Sequence, residues 1–248
     1  MAIPWYYIWS HDYRIFHEIM QDSIKYPEFE LSPIEIPQER FNSELYKNEG
    51  QHFWYKSLIK VDTILDCLKK GHEQSKPYIL FTDIDIVVRE NIYKDVKGFM
   101  DKSVDMVFMK EGSIMNIGFM LLRVCDEVYN FWQLIRSKMM EKDGLDQMYV
   151  NECLLSYPRM YTHFNEKLYT PSNLWNGSLS CKVIQVLCDG LIKEYNIVEK
   201  IVSIGQLINI KPYMKYVDAK SMENIEKFVK EVLHEELELI FNPVFKDY

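Results

Sequence analysis

The sequence predicts an α/β domain, a mixed sheet flanked by helices, followed by a C-terminal helical extension. Three observations carry this. Strand-like and helix-like patterns alternate through the first 150 residues, the pattern of a mostly parallel or mixed sheet with helices on its faces. An apolar run, Tyr78-Ile79-Leu80-Phe81-Thr82, leads directly into Asp83-Ile84-Asp85, the signature of a buried strand reaching a polar exit. The tail from Met222 to Phe241 is amphipathic and rich in acidic residues, which suits a helix packed on the outside of a domain better than one lying on a membrane.

In chain order, Trp5 to Trp9 reads as the first strand, with Ser10-His11-Asp12 at its exit. A helix over Tyr13–Ile24 follows, with Ile15, Phe16, Ile19 and Met20 on one face. Phe29-Glu30-Leu31 is a short strand that the prolines of the Pro33–Pro37 segment are expected to end. Phe53 to Lys70 carries Leu58, Val61, Leu65 and Leu68 at helical spacing, and Gly71 is the expected stop. After the Asp83-x-Asp85 strand, Asp105–Met109 and Ile117–Arg123 read as two further strands. Asp126–Met140 is a helix with Asp126 as its cap, and Asp146–Leu155 is another. Trp5, Trp9, Trp54 and Trp132 are expected in the core. The whole chain, 1–248, is expected to form one domain.

Composition narrows the function. With 48% hydrophobic residues the chain has ample material for a core. No apolar run reaches the ~18 residues of a membrane-spanning helix. The N-terminus enters the first strand without a basic leader, so it does not read as a signal peptide. Cys67, Cys125, Cys153, Cys181 and Cys188 are odd in number and lack CxxC spacing, which argues against a disulfide framework and a structural zinc. A reducing compartment, the cytoplasm, is the expectation. A net charge of −8 argues against nucleic acid as a partner.

The Asp83-x-Asp85 pair carries the chemistry. Unpaired carboxylates are costly to bury, so both belong where the strand leaves the core. In extended chain, residues i and i+2 point the same way. Two carboxylates so placed suit a hard divalent cation with oxygen ligands, able to neutralise a diphosphate.

Around this pair stand, in order, a helix with Lys56 and Lys60, the Thr82-Asp83-Ile84-Asp85 strand end, Asn116-Ile117-Gly118-Phe119 with Arg123, and Leu145-Asp146-Gln147. This order resembles the GT-A (Rossmann-like) nucleotide-diphospho-sugar transferases, in which a DxD strand, an NxGF strand and a DQ helix start recur over a similar length. The resemblance spans roughly Trp5 to Leu155. It implies a hexosyl- or related glycosyltransferase using Mn2+ or Mg2+, with a UDP- or GDP-sugar donor and a glycan or sugar acceptor. It implies that Asp85 ligates the metal, and that Asp83 touches the donor's ribose or the metal. Asn116 and Gly118 would lie under the donor sugar. Asp146 and Gln147 would face the sugar or acceptor as catalytic residues. Ser10, Asp12 and Tyr13 would cradle the base, and Lys60 and Lys193 would reach the phosphates. Residues 1–155 would be the donor-binding part of the domain, and 156–248 its acceptor-side part and C-terminal helices.

One departure stands out. Where the family usually has a late metal-binding histidine, this chain has Gln185 in Val183-Ile184-Gln185-Val186. The third ligand is then Gln185, Asp189 or absent, with His163 an off-register alternative. Trp175, in a Pro/Asn/Gly-rich loop, and His163 are the acceptor-side candidates. Plain structural readings exist for every motif. The aspartates could be solvated turn residues, Asn116 and Gly118 turn or bulge residues, and Asp146-Gln147 only a helix start. Two other functions use the same residues. One is a haloacid-dehalogenase-type phosphotransferase with Asp83 as nucleophile and Asp85 as acid. The other is a nucleotide-sugar-binding module without turnover.

Overall fold

The computed structural model describes residues 2–37, 49–142, 144–172, 181–187 and 196–233. The elements are β1 (Ile3–Trp9), a 3-10 turn (His11–Tyr13), α1 (Arg14–Ser23), β2 (Phe29–Glu35), α2 (Glu49–Glu73), β3 (Tyr78–Thr82), β4 (Ile86–Val88) and α3 (Tyr93–Asp101). They continue with β5 (Met106–Glu111), β6 (Ile114–Arg123), α4 (Asp126–Glu141), α5 (Asp146–Leu154), β7 (Tyr161–His163), β8 (Tyr169–Ser172), β9 (Val183–Val186), α6 (Asn196–Gly205) and α7 (Ala219–Phe228).

Six strands form one sheet in the order β2-β1-β3-β6-β5-β7, and β4-β9-β8 form a second, three-stranded sheet. β1 runs parallel to β2 and β3, β6 is antiparallel to both β3 and β5, and β7 is parallel to β5. The sheet is therefore mixed, as the sequence predicts. Both of its faces are covered. Trp5, Tyr7, Leu80, Val107 and Leu121 enter a core shared with α1, the small sheet, α6 and α7. Their alternate neighbours Tyr6, Ile79, Phe81, Met106, Met120 and Leu122 enter the core under α2, α4 and α5. Because successive side chains point to opposite buried faces, these strands read as unbroken apolar runs.

Several expectations are corrected. β2 runs on through Pro33 to Glu35, because it is an edge strand and tolerates a missing N–H on its open side. α2 passes Gly71 and ends at Glu73. Gly71 is there for packing: a Cβ would lie 3.0 Å from a Val124 methyl and 3.3 Å from one of Ile79. The cap of α4 is Cys125, with Asp126 in the first turn, where its charge suits the helix dipole. β3 ends at Thr82, with the aspartates at its exit as the sequence predicts, and Asp83-Ile84-Asp85 crosses to the second sheet, where Ile86–Val88 adds a strand that was not predicted. Trp5 and Trp132 are fully buried, whereas Trp9 is half-buried, stacked on His17 at 4.1 Å. The side chain of Trp54 lies outside the described residues. The C-terminal α7 sends Ile225 and Phe228 into the core beside α6. Cys67, Cys125, Cys153 and Cys181 are free thiols.

Candidate active site

β1 leads to β2 on one side, and the chain then crosses back to place β3 on the other. Strand order reverses between β1 and β3, and in open α/β sheets ligands bind beyond the carboxyl ends of the strands at such a point. A cavity of about 420 Å³ lies there, within the size range of small-ligand sites. It is lined by Trp9, Ser10 and Tyr13 after β1, by Asp83 and Asp85 after β3, by Lys56 and Lys60 of α2, by Asp146 and Gln147 of α5, and by Lys200 of α6.

The local folding that places Asp83 is well determined. Thr82 is fully buried, and its hydroxyl accepts the Trp5 indole N–H at 3.0 Å. The Asp83 N–H donates to the Gly118 carbonyl at 2.8 Å, and the Asp85 carbonyl accepts from Val186 N–H at 2.8 Å. β3 is thus tied to β6, and the crossing is tied to β9. The β5–β6 register shifts between Phe108 and Met109, so Ile117-Gly118-Phe119 bulges beside the aspartates, a device that re-aims a strand near a site.

The side chains form one connected polar cluster. Lys60, buried on α2, donates to Asp83 at 2.6 Å and stands 4.0 Å from Asp146. Lys200 pairs with Asp85. The Gln185 side-chain NH2 donates to Asp83 at 3.0 Å and reaches Asp85 at 3.5 Å. Its Oε1 is buried without a hydrogen-bond partner among the described residues. Asp146 accepts from the Gln147 N–H at 2.9 Å at the start of α5. Burial works against the Lys60 charge, but Asp83 and Asp146 outweigh it and hold its pKa above the ordinary lysine value. Three carboxylates meet two ammonium groups here, and Lys56 adds a third lysine to the cavity wall; burial pushes the Asp83 pKa up against the pull of Lys60.

Gly118 serves this cluster directly. A Cβ there would fall 2.2 Å from the Gln185 amide, so only glycine lets Gln185 lie over β6. Asn116 turns away from the cavity: its oxygen accepts the Gly118 N–H at 2.7 Å, and its NH2 donates to Glu111 at 3.0 Å. Gln147 accepts the Ile117 N–H at 3.3 Å and donates to the same Glu111 oxygen. These residues brace the bulge.

Ser10, Tyr13, Lys60, Asp83, Asp85, Asp146 and Gln147 therefore line one cavity, with Gln185 and Gly118 directly against it. Asp12 is not in the cavity wall, but its charge acts on Lys56, which is: burial lowers the pKa of Lys56, and Asp12 opposes that shift. His163 is elsewhere. It sits on edge strand β7, two strands from β6, with its ring on the Phe164 carbonyl at 2.8 Å. Trp175, Asp189 and Lys193 lie outside the described residues. Lys200 and Glu111 were not expected. Lys200 is 115 residues from Asp85, an ordinary helical lysine by pattern, and Glu111 is one acid among 37 acidic residues.

The site suits a hard divalent cation. Among the described residues no three His, Cys, Asp or Glu side chains form a metal cluster. Yet Asp83 and Asp85 converge on one point, marked by the Gln185 amide nitrogen. The Gln185 Oε1, without a partner among the described residues, is a third oxygen such a cation would recruit.

The sequence matches no protein-family model and no curated protein. The fold does match solved structures. A glycosyltransferase involved in the glycosylation of the major capsid of PBCV-1 is similar with a TM-score of 0.52 and 15% identity, over 75% of this chain and 93% of that one. Mouse xyloside xylosyltransferase 1 is similar with a TM-score of 0.51 and 10% identity, over 77% of this chain and 100% of that one. The chain thus has the GT-A-type α/β fold, with a central mixed sheet flanked by helices. No described helix is long and apolar enough to cross a membrane.

Proposed function

We propose that this chain is one glycosyltransferase domain that moves a hexosyl or related sugar from a UDP- or GDP-sugar to a hydroxyl of a glycan or sugar acceptor, with Mn2+ or Mg2+. The observation that carries this reading is the convergence of Asp83, Asp85 and Gln185 with Lys60 and Asp146 in one cavity at the β1/β3 switch point. The fold, shared with two solved glycosyltransferases, supports it.

Asp83, Asp85 and the Gln185 Oε1 would hold the cation. When bound, it supplies Lewis-acid neutralisation of the departing diphosphate. A diphosphate brought against Asp83 and Asp85 without a cation would meet like charge, which is the physical reason for a cation between them. Lys60 and Lys200 bring two ammonium groups to the same place. Trp9 and Tyr13 line the β1 end of the cavity, where aromatic faces suit a nucleobase. Asp146, on the α5 side, is the carboxylate placed to face the sugar or acceptor. Acceptor recognition is assigned to residues 156–248, with Trp175 the leading candidate. Four free cysteines fit a reducing compartment such as the cytoplasm.

The phosphotransferase reading fits less well. Its nucleophile would be Asp83, but one oxygen is tied to Lys60 at 2.6 Å and the other to Gln185 at 3.0 Å. A panel of nucleotide sugars incubated with the protein and Mn2+ tests the proposal through released nucleoside diphosphate. Metal-dependent hydrolysis of one sugar nucleotide is the expected result. Hydrolysis of p-nitrophenyl phosphate with no binding of UDP or GDP would favour the phosphotransferase, and donor binding without any turnover would favour an inert module.

A further inference from the structure

Both carboxylates of the Asp83–Asp85 pair are already engaged from within the chain. Asp83 takes Lys60 and the Gln185 amide, and Asp85 takes Lys200 and the same amide. The Asp85 and Lys200 side chains are only 6% and 16% exposed, so little water weakens their attraction. The two lysines come from different elements. Lys60 is fixed between Asp83 and Asp146 on α2. Lys200 comes from α6, on the opposite wall, and its four-carbon stem lets the ammonium move without moving the helix.

We infer that Lys200 is an internal counter-cation that competes with the divalent metal for Asp85. This rests on the reading of the Asp83–Asp85 pair as a cation site. In the ligand-free protein Lys200 neutralises Asp85 and keeps a buried carboxylate from standing alone. A cation arriving by itself must displace that ammonium and the Gln185 NH2, so it binds weakly. A nucleoside diphosphate changes the balance. Its oxygens add ligands to the cation, and its negative charge gives the released Lys200 ammonium a new partner. Metal and diphosphate therefore bind synergistically, and the metal site is not filled until the donor is present. The residue acts at the level of binding order, so its signature is metal affinity as well as turnover.

Calorimetric titration of Mn2+ into the full chain, with and without UDP, tests this on wild type, K200M, K200Q and K200R. K97M is the charge control, because Lys97 pairs with Asp101 on exposed α3. Without UDP, K200M and K200Q should bind Mn2+ about tenfold or more tightly than wild type, the scale of one unit charge at an intermediate dielectric. K200R and K97M should resemble wild type. UDP should raise Mn2+ affinity strongly in wild type and much less in K200M. Thermal melting adds a readout independent of titration quality: Mn2+ should raise the melting temperature of K200M or K200Q more than that of wild type, because it replaces the lost partner of Asp85. Equal or weaker Mn2+ binding in the folded K200M and K200Q proteins overturns the competition while leaving the cation site intact. Absence of Mn2+ binding in every variant, with UDP present, overturns both the competition and the metal-dependent reading.

Discussion

At the scale of single residues the site is a set of mutual dependencies. Gly118 exists in its present form because of Gln185, 67 residues later in the chain: a Cβ would sit 2.2 Å from the Gln185 amide. Gly118→Ala should push Gln185 off the aspartates. The side chain is flexible at its end, so the stability loss should be about 1–2 kcal/mol, at the low end for overpacking. Metal-dependent donor hydrolysis should fall at least about tenfold, as expected for losing a ligand-supporting contact. Chemical denaturation and the hydrolysis assay measure the two effects separately. Lys60 shows the opposite balance. Lys60→Met leaves Asp83 and Asp146 without their shared partner and should cost about 3–5 kcal/mol, as broken buried pairs do. The pH dependence has a definite sign. The folded-state pKa of Lys60 is raised above 10.5, so the stability it contributes is complete below that value and is lost as pH rises through the folded one. The melting-temperature gap between wild type and Lys60→Met should therefore hold from pH 8 to 10 and shrink above 10.5. A constant gap through that range would show that Lys60 acts by packing.

At the scale of elements, α2 carries Lys56 and Lys60 of the site and also binds the sheet. Its buried face packs Leu58, Val61, Ile64, Leu65 and Leu68 over β3 and β1 and against α4. Its last turn comes close because Gly71 has no side chain. Gly71→Val should destabilise by about 1–3 kcal/mol through overpacking against Val124 and Ile79. Gly71→Ala is a finer test: alanine favours helix by about 1 kcal/mol but meets Val124 at 3.0 Å, so the alanine variant should be much nearer wild type. Urea midpoints with unchanged slope would confirm a pure stability effect. A Gly71→Val protein as stable as wild type would remove the packing role.

At the scale of the molecule, the cavity gathers β1, α2, β3, α5 and α6, with β9 behind it. A ligand held by all of these should stabilise the whole fold. At one hundred times its Kd, a bound nucleotide adds about 2.7 kcal/mol, and for chains of this size each kcal/mol moves Tm by about 2–4 °C. UDP or GDP with Mn2+ should therefore raise Tm by about 5–10 °C, with much smaller shifts from either alone. No shift with any nucleoside diphosphate and cation would remove the proposed donor site. If Asp146 faces the sugar side as proposed, Asp146→Asn should keep this shift while donor turnover falls.

The sequence by itself determined the fold class, the strand that leads into Asp83 and Asp85, the α2 lysine at position 60 and the α5 start at Asp146. All of these are local patterns: apolar runs, helical spacing and polar residues at element ends, which short stretches of chain express without reference to the rest. The strand end at Thr82 was legible from the aspartates, but the second strand after them was not, because only the pairing of Ile86–Val88 with β9 makes it one. The end of α2 was misread for a similar reason: a glycine near a helix end signals a stop unless another element packs against it. Lys200 was invisible, since nothing near it in sequence distinguishes it from other helical lysines. Its pairing with Asp85 exists because α6 and the β3 crossing meet across the cavity, a long-range contact that no local pattern encodes.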